Sequence, residues 1–255
     1  ATSEKAQWLR FHTQTAGVSL TAQQPDNNVV RTAIEALAGV LGGTNSLHTN
    51  ALDEVLALPS EKAAQIALRT QQVIMEETGV TNVADPLGGS WYVEALTDKI
   101  EAEAEAIFQR ILDLGGNNTE HPIGPMTAGL LRGIDDGWFS SEIADSAFTY
   151  QIALEKGDKK QVGVTVHTDA TDEPLEILRI SHEVERAQNE TLAARRRDRD
   201  AAQLDATLSA LRLAAQGTDN LVPYMLEAVR AEATLGEICG VLREEWGEYR
   251  EPARV

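Results

Sequence analysis

Two short segments of the chain combine the alternation of a β-strand with polar side chains. The first is residues 10–15 (RFHTQT) and the second is residues 45–50 (NSLHTN). Each precedes a helical pattern, so each is predicted to be a parallel strand that leads into a helix. Alternate side chains of a strand lie on the same face of the sheet. One face, named the polar face, would therefore carry Arg10, His12, Gln14, Ser46, His48 and Asn50.

The polar face is unusual for a parallel sheet. A strand that helices cover on both sides normally carries Val, Ile and Leu, because both of its faces are buried. Two neighbouring strands with polar groups in those places indicate a surface that meets a ligand. The alternative is that His12 and His48 are buried core histidines with hydrogen-bond partners.

Apolar residues at helical spacing predict helices along the rest of the chain. Val30, Ile34, Leu37 and Leu41 predict a helix over 28–41 that ends at Gly42-Gly43. The alternation of strands and helices in the first half is the βα pattern of a parallel sheet. A short strand is predicted at residues 161–167 (QVGVTVH). Further helices are predicted at 51–58, 60–79 (with Val73 inward), 96–112, 127–133, 141–154, 181–216 (one helix or two) and 221–247.

The charge and the cysteine content exclude several classes of protein. A formal net charge of -18 argues against nucleic acid and against anionic membranes as partners. No apolar run is long enough to span a bilayer, and the first residues lack the order of a signal peptide. The single cysteine, Cys239, provides neither a disulfide framework nor a thiolate metal cluster. A cytoplasmic location is expected.

Two simpler explanations compete with ligand binding for the residues after the second strand. Asn50 is a favourable helix N-cap, and Asp53 could return a hydrogen bond in a variant of the capping box. A metal site is the other alternative, although the spacing lacks a signature such as two histidines one helical turn apart, and no metal is predicted. Its candidate ligands would be His12, His48, Asp53 and Glu54.

Three longer segments carry a resemblance to a known family. They are RFHTQTAGVSLTAQQP, NNVVRTAIEALAGVLGGTNSLHTNALDEVLALP and TGVTNVADPLGGSWYVE. They closely resemble the adenosylcobalamin-dependent acyl-CoA mutases, which include methylmalonyl-CoA, ethylmalonyl-CoA and isobutyryl-CoA mutases. The similarity is dense over residues 7–115 and continues more thinly to the end of the chain.

The resemblance implies a fold and a reaction. Members of this family have a (β/α)8 TIM barrel whose axis is threaded by the pantetheine arm of CoA, so small and polar side chains line it. Residues 1–115 would form the last strand-helix units of that barrel, and residues 116–255 a mostly helical linker or docking region. The parent enzyme would isomerise a short-chain acyl-CoA by a radical 1,2-rearrangement with adenosylcobalamin as cofactor.

Family contacts carry over onto seven positions of this chain. Gln14, Asn50 and Glu54 match contacts to the deoxyadenosyl group of the cofactor. Asn45 stands where some members carry Gln. Val18 stands where methylmalonyl-CoA mutases carry Trp, which shifts the resemblance toward the isobutyryl-CoA or ethylmalonyl-CoA type. The positions that match contacts to CoA are Arg10, His12, Asn45 and Ser46.

Other features of the family do not occur in this chain. The Asp-x-His-x-x-Gly motif that supplies the cobalt ligand is missing, and so are the earlier barrel strands with the main acyl-specificity residues. The chain is therefore expected to be inactive alone and to work in an oligomer with the remaining barrel segment and a cobalamin-binding domain or subunit. The alternative is that residues 119–255 form a non-catalytic helical module that docks such a partner.

Overall fold

The computed structural model describes residues 2–116, 124–168 and 175–250. Over these residues the chain is mostly helical and contains one two-stranded parallel sheet. It divides into two compact units, unit 1 (Ala1–Leu178) and unit 2 (Arg179–Val255). The predicted functional division after residue 115, where a long helix ends, stays a prediction. No helix in the described ranges is both long and apolar enough to cross a membrane.

Unit 1 contains the sheet and the helices that support it. Short 3-10 helices at Gly17–Ser19 and Val80–Asn82 lie between the longer elements. In chain order the strands and α-helices are α1 (Glu4–Gln7), β1 (His12–Gln14), α2 (Asn27–Leu41), β2 (Ser46–His48), α3 (Glu61–Glu77), α4 (Trp91–Gly115), α5 (Gly124–Asp135) and α6 (Trp138–Lys156).

The two predicted strands are confirmed as a parallel pair. His12 lies opposite Ser46, and Gln14 lies opposite His48. Two backbone hydrogen bonds continue the pairing beyond the strands, from Thr15 N–H to the His48 carbonyl at 3.1 Å and from Asn45 N–H to the Phe11 carbonyl at 3.2 Å. The short segments of polar alternation therefore set the register of the sheet.

Helix α2 is confirmed within one residue, but Val30 and Ile34 of its apolar stripe face outward, whereas Leu37 and Leu41 are half-buried. Val30 and Ile34 are 58% and 65% exposed. The face toward the rest of unit 1 carries Asn28, Thr32 and Ala36, all of which are buried. The spacing of apolar residues thus located the helix, but not the side of the helix that packs against unit 1.

Asn28 explains why a polar residue occupies the packed face of α2. Its side-chain nitrogen donates to the backbone oxygens of Thr21 and Leu52, each at 2.9 Å. Its side-chain oxygen accepts from Thr21 N–H at 3.0 Å and from the Arg31 guanidinium at 2.7 Å. A buried amide with all of these partners ties three segments of backbone together without an orphaned polar group.

Two predicted elements are wrong. Residues 52–56 form consecutive turns and not a helix, with Leu56 N–H donating to the Asp53 carbonyl. Residues 161–167 form a turn closed by a single bridge between Val162 and Val166. Among the described residues, no strand pairs with this second segment. The Arg31 guanidinium instead donates to its Val162 carbonyl at 2.8 Å.

Helix α3 begins where predicted, because the Ser60 hydroxyl accepts from Ala63 N–H at its N-terminus. It buries Ala63, Ala67 and Ile74. Val73, which was expected to point inward, is 46% exposed. This position lies away from the face that α3 turns toward α2. The set of residues predicted to point inward therefore contained one residue too many.

Unit 2 is a helical unit with an apolar core. The predicted segment 181–216 is two helices, because the Asp200 carboxylate accepts from Ala202 N–H and Gln203 N–H and so starts a new helix. The core consists of Leu211, Ala228, Ile238 and Val241. The helices are α7 (His182–Asp198), α8 (Ala201–Ala215), α9 (Val222–Arg230) and α10 (Leu235–Trp246).

A charged network joins the ends of two of these helices. Arg199 donates to both carboxylate oxygens of Glu237, and the Thr234 backbone N–H donates to the same carboxylate at 2.7 Å. Thr234 and Glu237 form a complete capping box at the start of α10. The hydrogen bond from Arg199 is the main reason that the pKa of Glu237 is lowered to about 2.

Candidate functional site

The sheet brings four residues of the polar face together and leaves them open. Residues directly opposite each other in paired strands lie on the same face, which places His12, Gln14, Ser46 and His48 side by side. All four are exposed. The other face of the sheet is covered by α2, because a Cβ on Gly39 would lie 3.3 Å from the Thr13 methyl group. The alternative of two buried core histidines is therefore wrong.

His12 and Ser46 form the first polar contact of this face. His12 Nδ1 and Ser46 Oγ are 2.7 Å apart, and which of them donates depends on the tautomer of the imidazole. Since Ser46 occupies Nδ1, the other ring nitrogen of His12 is left for a ligand. The pair thus presents a hydroxyl and an imidazole in one fixed arrangement.

Asn50 joins the carboxyl ends of the two strands. Its side-chain oxygen accepts from Gln14 Nε2 at 3.1 Å, and its side-chain nitrogen donates to the Thr15 carbonyl at 2.9 Å. Asn50 N–H also donates to Thr15 Oγ1 at 2.9 Å. The capping hypothesis is wrong, because no helix begins at Asn50 and the Asp53 carboxylate accepts instead from Ser60 N–H at 2.8 Å.

Glu54 lies next to Asn50 with its carboxylate unpaired. The residue is exposed, and its carboxylate has neither a hydrogen bond nor an ion pair within the described ranges. A Cβ on Gly17 would lie 2.9 Å from Glu54 Oε1 and 3.3 Å from Asn50 Nδ2. Glu54, Asn50 and the backbone of Gly17 therefore form one small cluster beyond the ends of the strands.

Arg10 and Asn45 lie at the opposite, amino ends of the strands. The Arg10 guanidinium is 4.9 Å from the centre of the Trp8 ring and forms no ion pair with any described residue. Asn45 accepts from Phe11 N–H through its side-chain oxygen at 3.0 Å, which leaves its amide nitrogen as a donor. Because β1 begins at His12, the observed register does not include Arg10.

The described residues contain no group of three His, Cys, Asp or Glu side chains that could hold a metal ion. Of the four residues considered as ligands, Asp53 is fully buried, whereas His12, His48 and Glu54 are exposed. The side chains of the metal alternative are thus divided between the interior and the surface.

Sequence reasoning missed three residues that shape this site. The Thr15 hydroxyl accepts a hydrogen bond from Asn50 N–H, and Gly17 lies against Glu54. Glu35 accepts from Ala16 N–H at 2.8 Å. Gly17 carried a signal, since an isolated glycine after a strand often marks a close approach of the backbone. Glu35 carried none, because an acidic residue in an amphipathic helix normally faces solvent.

The polar face and the residues at both ends of its strands suit a ligand with hydroxyl and anionic groups. The free guanidinium of Arg10 can pair with an anion, and the free carboxylate of Glu54 can accept from hydroxyls. Between them the face offers imidazole, hydroxyl and amide groups whose positions are fixed by neighbouring hydrogen bonds. Such a row of polar groups on paired strands is suited to binding an extended molecule.

Comparison with known proteins places the chain among acyl-CoA mutases. It is 40% identical to methylmalonyl-CoA mutase of Rhizobium meliloti over 94% of this chain and 32% of that protein. It is 41% identical to the 2-hydroxyisobutanoyl-CoA mutase large subunit of Aquincola tertiaricarbonis, over 95% of this chain and 41% of that subunit. It is 43% identical to methylmalonyl-CoA mutase of Cereibacter sphaeroides over 95% of this chain and 32% of that protein.

The methylmalonyl-CoA mutase family model matches residues 1–248. The chain belongs to the methylmalonyl-CoA mutase family, which confirms the resemblance found in its sequence. It spans between 32% and 41% of the length of these three relatives.

Proposed function

We propose that this chain is part of an adenosylcobalamin-dependent isomerase that carries out the radical 1,2-rearrangement of a short-chain acyl-CoA. The candidate substrates are isobutyryl-CoA or n-butyryl-CoA, methylmalonyl-CoA or succinyl-CoA, and ethylmalonyl-CoA. The observation that carries the proposal is the open polar face on a parallel strand pair, where a covered sheet would have branched apolar residues. Membership in the family supports the reaction class.

In this proposal β1 and β2 are the last strands of a (β/α)8 barrel, and the polar face lines its axis. The outward apolar stripe of α2 supports this arrangement, because Val30 and Ile34 would then pack against a neighbouring barrel segment. The partners are that segment and a cobalamin-binding domain or subunit, within an oligomer. The single cysteine fits a reducing cytoplasm.

The CoA end of the substrate would contact Arg10, His12, Asn45 and Ser46. Arg10 offers a free guanidinium for a phosphate, and the amide nitrogen of Asn45 is an unused donor. The His12–Ser46 pair lies between them on the same surface and can bond the polar groups of the pantetheine arm. These contacts would orient the substrate along the strands.

The adenosyl group would contact Gln14, Asn50 and Glu54. The residues fit this group, because the unpaired Glu54 carboxylate can accept from the two hydroxyls of a ribose. Asn50 is 2% exposed, so its main task would be to fix the amide of Gln14 beside the ligand. Adenosylcobalamin, when bound, supplies the radical chemistry, and the protein positions the reactants and excludes competing reactions.

The experiment compares single variants of the full-length enzyme that carries this chain. Ser46→Ala and Arg10→Ala should raise KM for the acyl-CoA with little change in kcat. Glu54→Ala should weaken adenosylcobalamin binding and lower kcat about tenfold or more, because a hydrogen bond to a charged group contributes about 1.5–3 kcal/mol. Cofactor affinity is measured by absorbance titration, and kcat and KM by product formation.

Exposed residues of the same type outside the site are the controls. Glu76→Ala and Arg179→Ala remove a carboxylate and a guanidinium that have no partner in the described part of the chain. Both should leave kcat, KM and cofactor affinity unchanged. Unchanged cofactor affinity in Glu54→Ala, or unchanged KM in both Arg10→Ala and Ser46→Ala, would contradict the assignment of that end of the site.

The second candidate is that the helical region beyond the barrel portion is a docking module without activity of its own. Helix α7 favours it, since none of its residues is buried in the described structure. Titration of adenosylcobalamin and of a CoA ester against this chain, with and without the remaining parts, separates the two. Binding of neither ligand, together with capture of the cobalamin-binding part, would favour the docking module.

A further inference from the structure

The turn that carries Glu54 is held from inside by its neighbour Asp53. Asp53 is fully buried, and its Oδ2 accepts from Ser60 N–H at 2.8 Å. Its backbone oxygen accepts from Leu56 N–H at 2.9 Å and from Ala57 N–H at 3.0 Å. Asp53 thus closes both the tight turn that contains Glu54 and the longer loop that leads to the start of α3.

A buried aspartate such as Asp53 is energetically unfavourable if its role is only to close a loop. Its Oδ1 is buried without a hydrogen-bond partner among the described residues. A buried carboxylate that is only partly satisfied lowers the stability of the folded protein. Violations of this kind concentrate at functional sites, where position matters more than stability.

Gly17 forms the opposite wall of the space that Glu54 occupies. Its φ angle lies outside the left-handed region, so alanine could adopt the same backbone conformation. A Cβ at this position would lie 2.9 Å from Glu54 Oε1 and 3.3 Å from Asn50 Nδ2, so the glycine leaves room for both side chains. Glu35 holds this wall through Ala16 N–H at 2.8 Å.

We propose that Gly17 and Asp53 are positioning residues that hold the Glu54 carboxylate in place before the adenosyl ligand binds. Gly17 leaves the space beside the carboxylate, and Asp53 fixes the turn from which it projects. Neither residue touches the ligand. The inference rests on the proposed contact between Glu54 and the adenosyl group, and it adds why that carboxylate needs no partner of its own.

The first test measures the dissociation constants of adenosylcobalamin and methylcobalamin, which lacks the adenosyl group, for the full-length enzyme. Gly17→Ala should weaken adenosylcobalamin about tenfold and leave methylcobalamin unchanged, because only the adenosyl contact is displaced. Gly240→Ala is the matched control, since nothing lies within 4 Å of a Cβ there and its φ is also not left-handed. It should change neither constant.

The second test repeats Gly17→Ala in a Glu54→Ala background. Removal of the Glu54 side chain leaves Asn50 Nδ2, 3.3 Å from the added methyl group, so Gly17→Ala should raise the dissociation constant much less in this background. An equal loss in both backgrounds would overturn the proposal, because Gly17 would then act independently of Glu54. Equal weakening of both cobalamins by Gly17→Ala would also overturn it.

The third test removes the hydrogen bond of Asp53 from its donor side. Ser60→Pro deletes the backbone N–H at a φ of -69°, which proline accepts, whereas Ser60→Ala deletes only the hydroxyl cap. Ser60→Pro should weaken adenosylcobalamin several-fold more than Ser60→Ala, with methylcobalamin unaffected. Asp53→Asn keeps an acceptor for Ser60 N–H and should stay closer to the wild type than Asp53→Ala. Equal behaviour within both pairs would overturn the role of Asp53.

The Glu54→Ala variant separates this inference from the function on which it rests. If Glu54→Ala leaves the affinity ratio of the two cobalamins unchanged, the proposed adenosyl contact fails, and positioning fails with it. If Glu54→Ala weakens adenosylcobalamin relative to methylcobalamin, whereas Gly17→Ala and Ser60→Pro do not, the adenosyl contact stands. Only the positioning roles are then overturned.

Discussion

The first 60 residues and unit 2 differ in the kind of large side chain that they bury, which is polar in the first 60 residues and apolar in unit 2. Of the five largest fully buried side chains within residues 2–116, 124–168 and 175–250, one, Leu211, belongs to unit 2. The other four are polar and lie in the first 60 residues: Asn28, Thr32, Asn50 and Asp53. In the same 60 residues the large apolar side chains of Val18, Val30 and Ile34 are 92%, 58% and 65% exposed.

From this difference we expect unit 2 to be stable by itself and the first 60 residues to need neighbours. Unit 2 buries apolar area, which is the dominant favourable term in folding. The first 60 residues bury the smaller apolar set Leu20, Ala36, Ala51 and Leu52. Their buried amides add hydrogen bonds, whose net contribution is small because water competes for the same groups. The buried hydrogen bonds of that region therefore mainly fix its geometry. Its stability depends on a neighbouring part of the protein that covers its exposed apolar side chains.

The largest expected effect is a difference in folding between two fragments. Residues 179–250 alone should show helical circular dichroism and a cooperative thermal transition, because Leu211, Ala228, Ile238 and Val241 form an apolar core within this range. Residues 2–116 alone should bind a hydrophobic dye and melt without a sharp transition, because large apolar side chains are exposed. Cooperative melting of the second fragment without dye binding would remove the contrast.

The apolar core of unit 2 should be sensitive to one truncation. Leu211→Ala should lower the free energy of unfolding by about 2–5 kcal/mol, because it leaves a cavity at a fully buried position. Leu213→Ala on the same helix is the control, since Leu213 is 72% exposed. It should change stability by less than about 0.5 kcal/mol. Urea unfolding of the fragment 179–250 checks both values.

The polar interior of the first 60 residues should respond to the loss of one amide. Asn28→Ala should destabilise unit 1 by about 1–3 kcal/mol, because the buried backbone groups of Thr21 and Leu52 lose their partner. Asn27→Ala, which removes a half-buried contact to Gln24, should cost much less. Thermal melts of the whole chain measure both, and equal losses would show that Asn28 has no special role.

The smallest expected effect is a dependence of unit 2 on acid. The pKa of Glu237 is lowered from 4.5 to about 2, mainly because Arg199 donates to the carboxylate. A group whose pKa falls on folding stabilises the folded state fully above its unfolded pKa. That stabilisation should therefore be lost as the pH falls from about 4.5 toward about 2.

Urea midpoints of the fragment 179–250 between pH 6 and pH 2 measure this loss. Glu237→Gln should be less stable at pH 6 and should show a flatter dependence on pH in the acid range. Thr234→Ala, which keeps the ion pair, should lose about 1 kcal/mol and retain the acid dependence. The same slope for Glu237→Gln and the wild type would assign the acid sensitivity to other groups.

Much of the local structure was predictable from the sequence. Two matched polar segments predicted neighbouring parallel strands with a shared polar face, and the structure pairs His12 with Ser46 on that face. Helical spacing located α2, and Ser60 marked the start of α3. These features depend on neighbours in the chain, so periodicity and capping residues are sufficient to predict them.

The errors have a common physical cause. Asn50 looks like a helix cap, yet its side chain bonds to Gln14 and Thr15, which are 36 and 35 residues away along the chain. Residues 161–167 alternate like a strand, yet no strand in the described part of the chain pairs with them. A local pattern states what a segment can form, whereas long-range hydrogen bonds decide what it does form.

The sequence by itself determined the strand pair, most of the helices and the polar composition of the site, because each depends on spacing along the chain. Only the tertiary structure decided which side of α2 is packed, since both an apolar and a polar face were present in the sequence. Only it placed the Glu54 carboxylate against Gly17, because that approach joins residues 37 positions apart through two separate turns. Such contacts depend on the fold as a whole, so no local pattern encodes them.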